Sequence, residues 1–181
     1  MTPKGPSEMA DLRRRSPLEH RALDLARIAA ITAGAVQVSE MSLLSQINIR
    51  TADPVLLGLP TSPNTWENAR NADALWLGPN EWLVVSAAVA ESYADWERAG
   101  SVVDVSASRA VLEVSGQGAR DLLAKGCALD LHPSKWTSGA CAQTMLAKAP
   151  VILQQRSKTT RIFVRPSFAD YLVEWFLAAS T

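Results

Sequence analysis

Leu75-Trp76-Leu77-Gly78-Pro79-Asn80-Glu81-Trp82-Leu83-Val84-Val85 reads as strand, turn, strand. Each flank is an apolar run of strand length, and the centre is turn-forming. Pro79 presets φ at the second turn position, and Asn80 tolerates the third. Strands joined this tightly pair antiparallel, because a parallel pair needs a long crossover.

Outward from this hairpin the chain alternates strands and helices. Glu91–Ala99 reads as a helix closed by Gly100 as its C-terminal cap. Val102–Val105 and Ala110–Val114 read as a second strand pair. Ser115-Gly116-Gln117-Gly118 leads into a helix over Ala119–Lys125, capped by Gly126. Pro133 and Gly139 mark a loop. Ala142–Ala147 and Val151–Gln155 form a hairpin, Arg161–Arg165 a last strand, and Phe168–Ala179 a last helix. In that helix Phe168, Tyr171, Leu172, Trp175, Phe176 and Ala179 fall on one apolar stripe. Ser167 and Asp170 are placed as a capping box.

Toward the N-terminus, residues 51–73 carry Pro54, Gly58, Pro60 and Pro63 and read as a connection with at most a short helical turn. Alternation through Ile28, Ile31, Val36, Val38, Ile47 and Ile49 suggests strands. Leu18 to Arg27 reads as helix-like or irregular. Residues 1–17 hold three prolines and the triplet Arg13-Arg14-Arg15, and read as a flexible arm.

The segment Ser92-Tyr93-Ala94-Asp95-Trp96 echoes Ser167-Phe168-Ala169-Asp170-Tyr171, each copy following a strand. The expectation is therefore an α+β protein with antiparallel sheets and helices packed on one face, built of ferredoxin-like units. Residues 18–181 are expected to be a single globular region of two related strand–helix units behind the arm.

Composition bounds the function. The chain has 181 residues, 48% hydrophobic, with 18 Lys+Arg against 18 Asp+Glu. That suits a packed domain rather than a disordered chain. The balanced charge excludes a strongly basic nucleic-acid binder. No apolar stretch is long enough to span a membrane, and no export signal opens the chain, so a cytoplasmic protein is expected. Two cysteines, Cys127 and Cys141, and two histidines, His20 and His132, are too few and too scattered for a zinc site. The thiols are expected to be reduced.

Catalytic signatures are missing. The sequence contains no phosphate-binding or dinucleotide-binding glycine motif and no nucleophile elbow. Asp104, followed by Ser106, Ser108 and Arg109, reads as a turn residue bonding backbone N–H groups or Arg109. A contact from Asp104 to a substrate carboxylate or a pterin is the alternative. His132 beside Asp130 reads as a loop contact. Cys127 follows a helix C-terminus, whose negative partial charge disfavours the thiolate.

Several blocks together carry a resemblance: 75–84, Val103-Asp104-Val105-Ser106-Ala107-Ser108-Arg109, Lys125-Gly126-Cys127-Ala128-Leu129-Asp130-Leu131-His132-Pro133, Cys141-Ala142-Gln143-Thr144 and Val164-Arg165-Pro166-Ser167-Phe168-Ala169-Asp170-Tyr171. With them, nearly the whole chain from about Arg15 resembles the gamma subunits of bacterial heterotetrameric sarcosine oxidases. The resemblance implies a partner of alpha, beta and delta subunits in the oxidative demethylation of sarcosine. It places FAD, FMN and NAD on alpha and beta, tetrahydrofolate on alpha and zinc on delta. No cofactor, metal or catalytic residue falls to this chain.

The resemblance also implies a fold similar to part of the folate-binding aminomethyltransferases. Those enzymes carry a catalytic aspartate on the second strand of the hairpin that follows the strand–strand–helix unit. Here Leu146–Leu153 holds no acid, which argues against one-carbon transfer. Lys125-Gly126-Cys127 is similar to the start of the signature of folate-binding iron–sulfur repair proteins, but the remaining Tyr, Gly and Gln are absent. A stand-alone folate-binding, aminomethyltransferase-like protein is the alternative to a structural subunit. Partner contacts are expected from Arg13, Arg14 and Arg15 in the arm. Trp66 and Trp136, in loop-like stretches, are expected either to plug the edge of their own core or to anchor a larger subunit, because tryptophan is enriched at binding hot spots.

Overall fold

The computed structural model describes residues 15–87, 94–97 and 100–181. A 3-10 turn at Glu19–Arg21 leads into α1 (Ala22–Ile31), β1 (Gln37–Glu40), β2 (Ser45–Thr51), α2 (Pro54–Leu57), β3 (Trp66–Ala69), β4 (Ala72–Gly78) and β5 (Glu81–Ser86). Then follow α3 (Ala94–Glu97), β6 (Gly100–Asp104), β7 (Ala110–Ser115), α4 (Ala119–Ala124), β8 (Cys141–Leu146), β9 (Ala149–Gln155), β10 (Thr159–Val164) and α5 (Pro166–Ala179). The strands form two antiparallel five-stranded sheets, with orders β1-β7-β10-β9-β8 and β3-β4-β5-β2-β6. The α+β class with antiparallel sheets is thus the observed one.

Period-two alternation explains the layers. In β7 and β10, Ala110, Leu112, Val114, Ile162 and Val164 point to a core shared with Leu25 and Ile28 of α1, Leu122 and Leu123 of α4, and Leu172 and Phe176 of α5. The opposite face of the same sheet sends Val111 of β7, Ile152 of β9 and Phe163 of β10 against Leu75, Leu83 and Val85 of the second sheet. That sheet turns Ile47, Ile49, Trp82 and Val84 outward, under Leu57 and Trp96. The order is helices, sheet, sheet, short helices. Because both faces of β5 are covered, Trp82-Leu83-Val84-Val85 is a continuous apolar run rather than an alternating one.

Several local expectations are corrected. Ile28 and Ile31 belong to helix α1, not to a strand. Leu25 and Ile28 are buried three residues apart, a helical spacing that a short apolar run does not separate from a strand. The stretch 51–73 contains β3 and the start of β4, turning through Arg70 and Asn71 at φ 52° and 63°. A hairpin turn of this kind normally advertises itself with glycine, and none is present here.

Val102–Val105 and Ala110–Val114 are not a pair. β6 pairs with β2, and β7 pairs with β1 and β10, so residues 105–109 cross between the sheets. Gly100 opens β6 instead of capping a helix. A Cβ there would lie 2.1 Å from the Arg50 carbonyl oxygen, so only glycine permits the pairing. The N-terminal part of the expected 91–99 helix, with Ser92 and Tyr93 of the echo, lies outside the described residues.

The last helix starts one residue earlier than its expected cap. Arg165 is the N-cap without a side-chain bond, and Pro166 takes the first turn, where its missing N–H costs nothing. Ala169, Leu172, Val173 and Phe176 are the buried face. Trp175 is half-buried, and Tyr171 is exposed. Phe168, Trp175 and Ala179 pack at the edge of the same core, so the stripe is displaced only where Tyr171 turns outward and Val173 inward.

Candidate functional site

Arg13 and Arg14 lie outside the described residues, and Arg15 is exposed beside a depression shared with Glu19 and Glu40. At the end of the arm, the Ser16 hydroxyl bonds the Glu40 carboxylate, and Leu18 is buried. Trp66 lies in strand β3. Its indole N–H donates to the Gln155 carbonyl at 2.8 Å, and the Arg156 guanidinium stands 4.9 Å from its ring centre. Trp136 is buried in the helix-side core, and among the described residues its indole nitrogen has no hydrogen-bond partner. The backbone brings the two segments together, since the Trp66 N–H donates to Gly139 at 2.8 Å. The rings themselves enter different clusters.

Arg109 and Asp104 sit in the crossover between the sheets. The Asp104 carboxylate accepts the Ser106 N–H at 2.8 Å, the turn contact its sequence suggests. The Ser106 hydroxyl accepts the Gln46 N–H at 2.9 Å, and the Gln46 amide donates to the Arg109 carbonyl at 3.0 Å. Buried Gln46 therefore pins the crossover to β2 and fixes where Arg109 emerges.

The layer between the sheets is apolar in its middle and charged at both ends. At one end Asp73 of β4 accepts from Gln154 at 3.0 Å and from Arg161 at 3.1 Å, and it also pairs with Arg156. Arg161 reaches on to Glu113 at 3.2 Å. Two carboxylates there meet two guanidiniums. At the other end Glu81 accepts from Asn48 at 2.7 Å and from Arg50 at 3.0 Å.

Beside them lie Arg109 and Arg165. Val164 pairs with Ala110, so one step further Arg165 and Arg109 stand opposite each other at the strand ends. An open groove of about 720 Å³ runs over Arg50, Val103, Arg109, Arg165 and Ser167, and the two facing arginines also line an adjoining pocket of about 140 Å³. Burial and the neighbouring Arg165 charge both pull the Arg109 pKa below its usual value, and Glu81 opposes them. Arg165 is legible in the sequence only as the end of the last strand, before Pro166. Nothing local links it to Arg109, 56 positions earlier.

The remaining candidates are engaged in structure. His132 Nδ1 lies 2.8 Å from the Ser134 hydroxyl, and its backbone N–H donates to Asp130 at 2.9 Å. Both cysteines are free thiols and buried. The Cys141 thiol donates to the Thr65 carbonyl at 3.1 Å, and burial pushes its pKa up to about 11. Between its ordinary value near 9 and 11, the unfolded chain releases this proton and the folded chain keeps it. Stability should fall through that window as pH rises, by up to about 3 kcal/mol. Urea midpoints at pH 8.5 and 10.5 should diverge more for the native chain than for Cys141→Ala; equal slopes would exclude the assignment. Among the described residues no group of three metal-ligating side chains occurs, and no helix is long and apolar enough to cross a membrane.

The comparisons with known proteins agree on one family. Residues 52–181 match the "Sarcosine oxidase, gamma subunit family". The sarcosine oxidase subunit gamma of Corynebacterium sp. (strain P-1) is 36% identical over 183 residues, covering 92% of this chain and 89% of that protein. The corresponding subunit from Arthrobacter sp. is 33% identical over 185 residues, covering 93% and 90%. Among solved structures, a chain of the heterotetrameric sarcosine oxidase from Corynebacterium sp. U-96 superposes with a TM-score of 0.81 at 30% identity, over 92% of this chain and 94% of that one. Glycine cleavage system aminomethyltransferase T from Bartonella henselae superposes with a TM-score of 0.60 at 15% identity, over 85% of this chain and 48% of that one. That second likeness is one of fold.

Proposed function

Since the chain belongs to the sarcosine oxidase gamma subunit family, we propose that it is a non-catalytic assembly subunit of a heterotetrameric, flavin-dependent oxidase that demethylates sarcosine. The observation that carries this reading is the extent of the likeness. A 0.81 superposition covers 94% of one chain of a heterotetrameric sarcosine oxidase, so the fold is matched end to end rather than in a fragment. On this reading FAD, FMN, NAD and tetrahydrofolate are held by alpha and beta partners, and a delta subunit completes the complex in the cytoplasm.

The chemistry of the described residues supports a scaffold role. Asp73 and Glu113 are taken up by guanidiniums, and the Cys141 thiol is buried and hard to ionise. The β8–β9 hairpin, Cys141–Gln155, carries no carboxylate. A proton-transfer catalyst needs a titratable group within reach of a substrate, and these groups serve packing instead.

The test is co-expression with tagged large subunits of the oxidase, followed by size-exclusion chromatography. The chain should co-elute with the flavin-bearing subunits, and the chain purified alone should be colourless. Elution as a free monomer beside fully active oxidase would refute the subunit reading.

A further inference from the structure

The two ends of the inter-sheet layer differ in charge balance. At the Asp73 end two carboxylates face two guanidiniums. At the other end three guanidiniums, Arg50, Arg109 and Arg165, line one groove, and among the described residues Glu81 is the carboxylate paired there, with Arg50. The two oxygens of Glu81 are already taken by Asn48 and Arg50. Among the described residues no carboxylate lies within ion-pair distance of Arg109 or Arg165.

Like charges placed directly opposite across a strand pair destabilise a sheet. This pair is held in place nonetheless. Gln46 fixes the Arg109 backbone, and Pro166 fixes the turn into α5 right after Arg165. A guanidinium fork matches a carboxylate in two parallel hydrogen bonds, and both arginines line the same groove and pocket. The groove they line is open to the surface and, at about 720 Å³, falls in the size range of ligand clefts. Its rim carries Val103, which is 52% exposed on the edge strand β6. An apolar rim beside unpaired charge suits a protein partner better than a small, fully hydrated anion.

We propose that the groove between the sheet ends, walled by Arg109 and Arg165, seats an acidic side chain presented by a neighbouring subunit of the oxidase. The inference rests on the subunit reading above and names the contact that reading lacks. The incoming carboxylate neutralises the facing arginines, and Val103 packs against the apolar part of the same segment. Arg50 contributes little, because Glu81 already pairs with it. Free chains then carry a repulsive site that assembly relieves.

The test co-expresses native and variant full-length chains in competition for tagged partner subunits and reads the incorporated ratio by mass spectrometry. Arg109→Gln and Arg165→Gln should each lower incorporation about tenfold, and the double variant about 100-fold. Arg50→Gln should change it less than about threefold. The thermal midpoint of the double variant purified alone should equal or exceed the native one, because a repulsive pair has been removed. That result separates loss of docking from loss of folding. Native chain that is never incorporated overturns both this inference and the subunit reading. Native chain and double variant incorporated equally, or an Arg50→Gln effect as large as that of the double variant, overturns this inference alone. Tight binding of succinate to the free chain without any assembly defect in the variants assigns the groove to a free carboxylate and also overturns it.

Discussion

Asp73→Ala should destabilise the fold by about 3 kcal/mol, the low end of the cost of breaking a buried ion pair. Asp73 ties the two sheets together by accepting from Gln154, Arg156 and Arg161. Its removal leaves the Gln154 amide, fully buried and already lacking a partner for its oxygen, without any side-chain bond. It also leaves Arg156 without its carboxylate and Arg161 with Glu113 alone. The Arg156 side chain is 31% exposed and recovers some hydration, which is why the upper end of that range is not expected. Asp73→Asn retains an acceptor and should cost roughly half as much. Urea denaturation midpoints measure both; a midpoint unchanged in Asp73→Ala would mean that the network contributes nothing net.

A larger loss is expected from Trp82→Ala, about 3–5 kcal/mol. Trp82 is 1% exposed on the outer face of the second sheet, among Ile47, Ile49, Leu57, Leu59 and Val84. Its indole N–H donates to the Pro60 carbonyl at 2.8 Å, so truncation opens a large cavity and also strands an acceptor. Trp82→Phe keeps an aromatic ring but loses the bond and part of the indole's volume, and should cost less, about 2–3 kcal/mol. Guanidinium unfolding of the three proteins separates the two contributions. Equal midpoints for Trp82→Phe and Trp82→Ala would show that packing of the ring is not what matters there.

Both predictions depend on contacts between segments far apart in the chain, and this marks the limit of what the sequence shows. The Leu75–Val85 hairpin, the β8–β9 hairpin and helix α4 are legible locally, because their turn residues and apolar runs are adjacent in sequence. The last helix is legible as a helix. Its burial is displaced toward Ala169 and Val173, because the sheet beneath it decides which face is covered. β3 is not legible, since its turn uses Arg70 and Asn71 where a glycine would have announced it.

The candidate site follows the same division. Arg109 stands out locally, next to Asp104 and Ser108. Arg165 does not, because its meaning comes from lying opposite Arg109, and that register is set by β7 pairing with β10. Trp66 and Trp136 are conspicuous in the sequence, yet only the fold places Trp66 in strand β3, half-buried and bonded to Gly139, and Trp136 in the core.

By itself the sequence determined the antiparallel α+β class and the family, because periodicity, turn chemistry and motif blocks are local properties. Only the tertiary structure decided that neighbouring strands β6 and β7 enter different sheets. It alone balanced the charges at one end of the inter-sheet layer and left Arg109 and Arg165 unbalanced at the other. Strand partners and ion pairs are fixed by long-range closure, where the free energy depends on which faces can be buried together and not on which residues are neighbours along the chain.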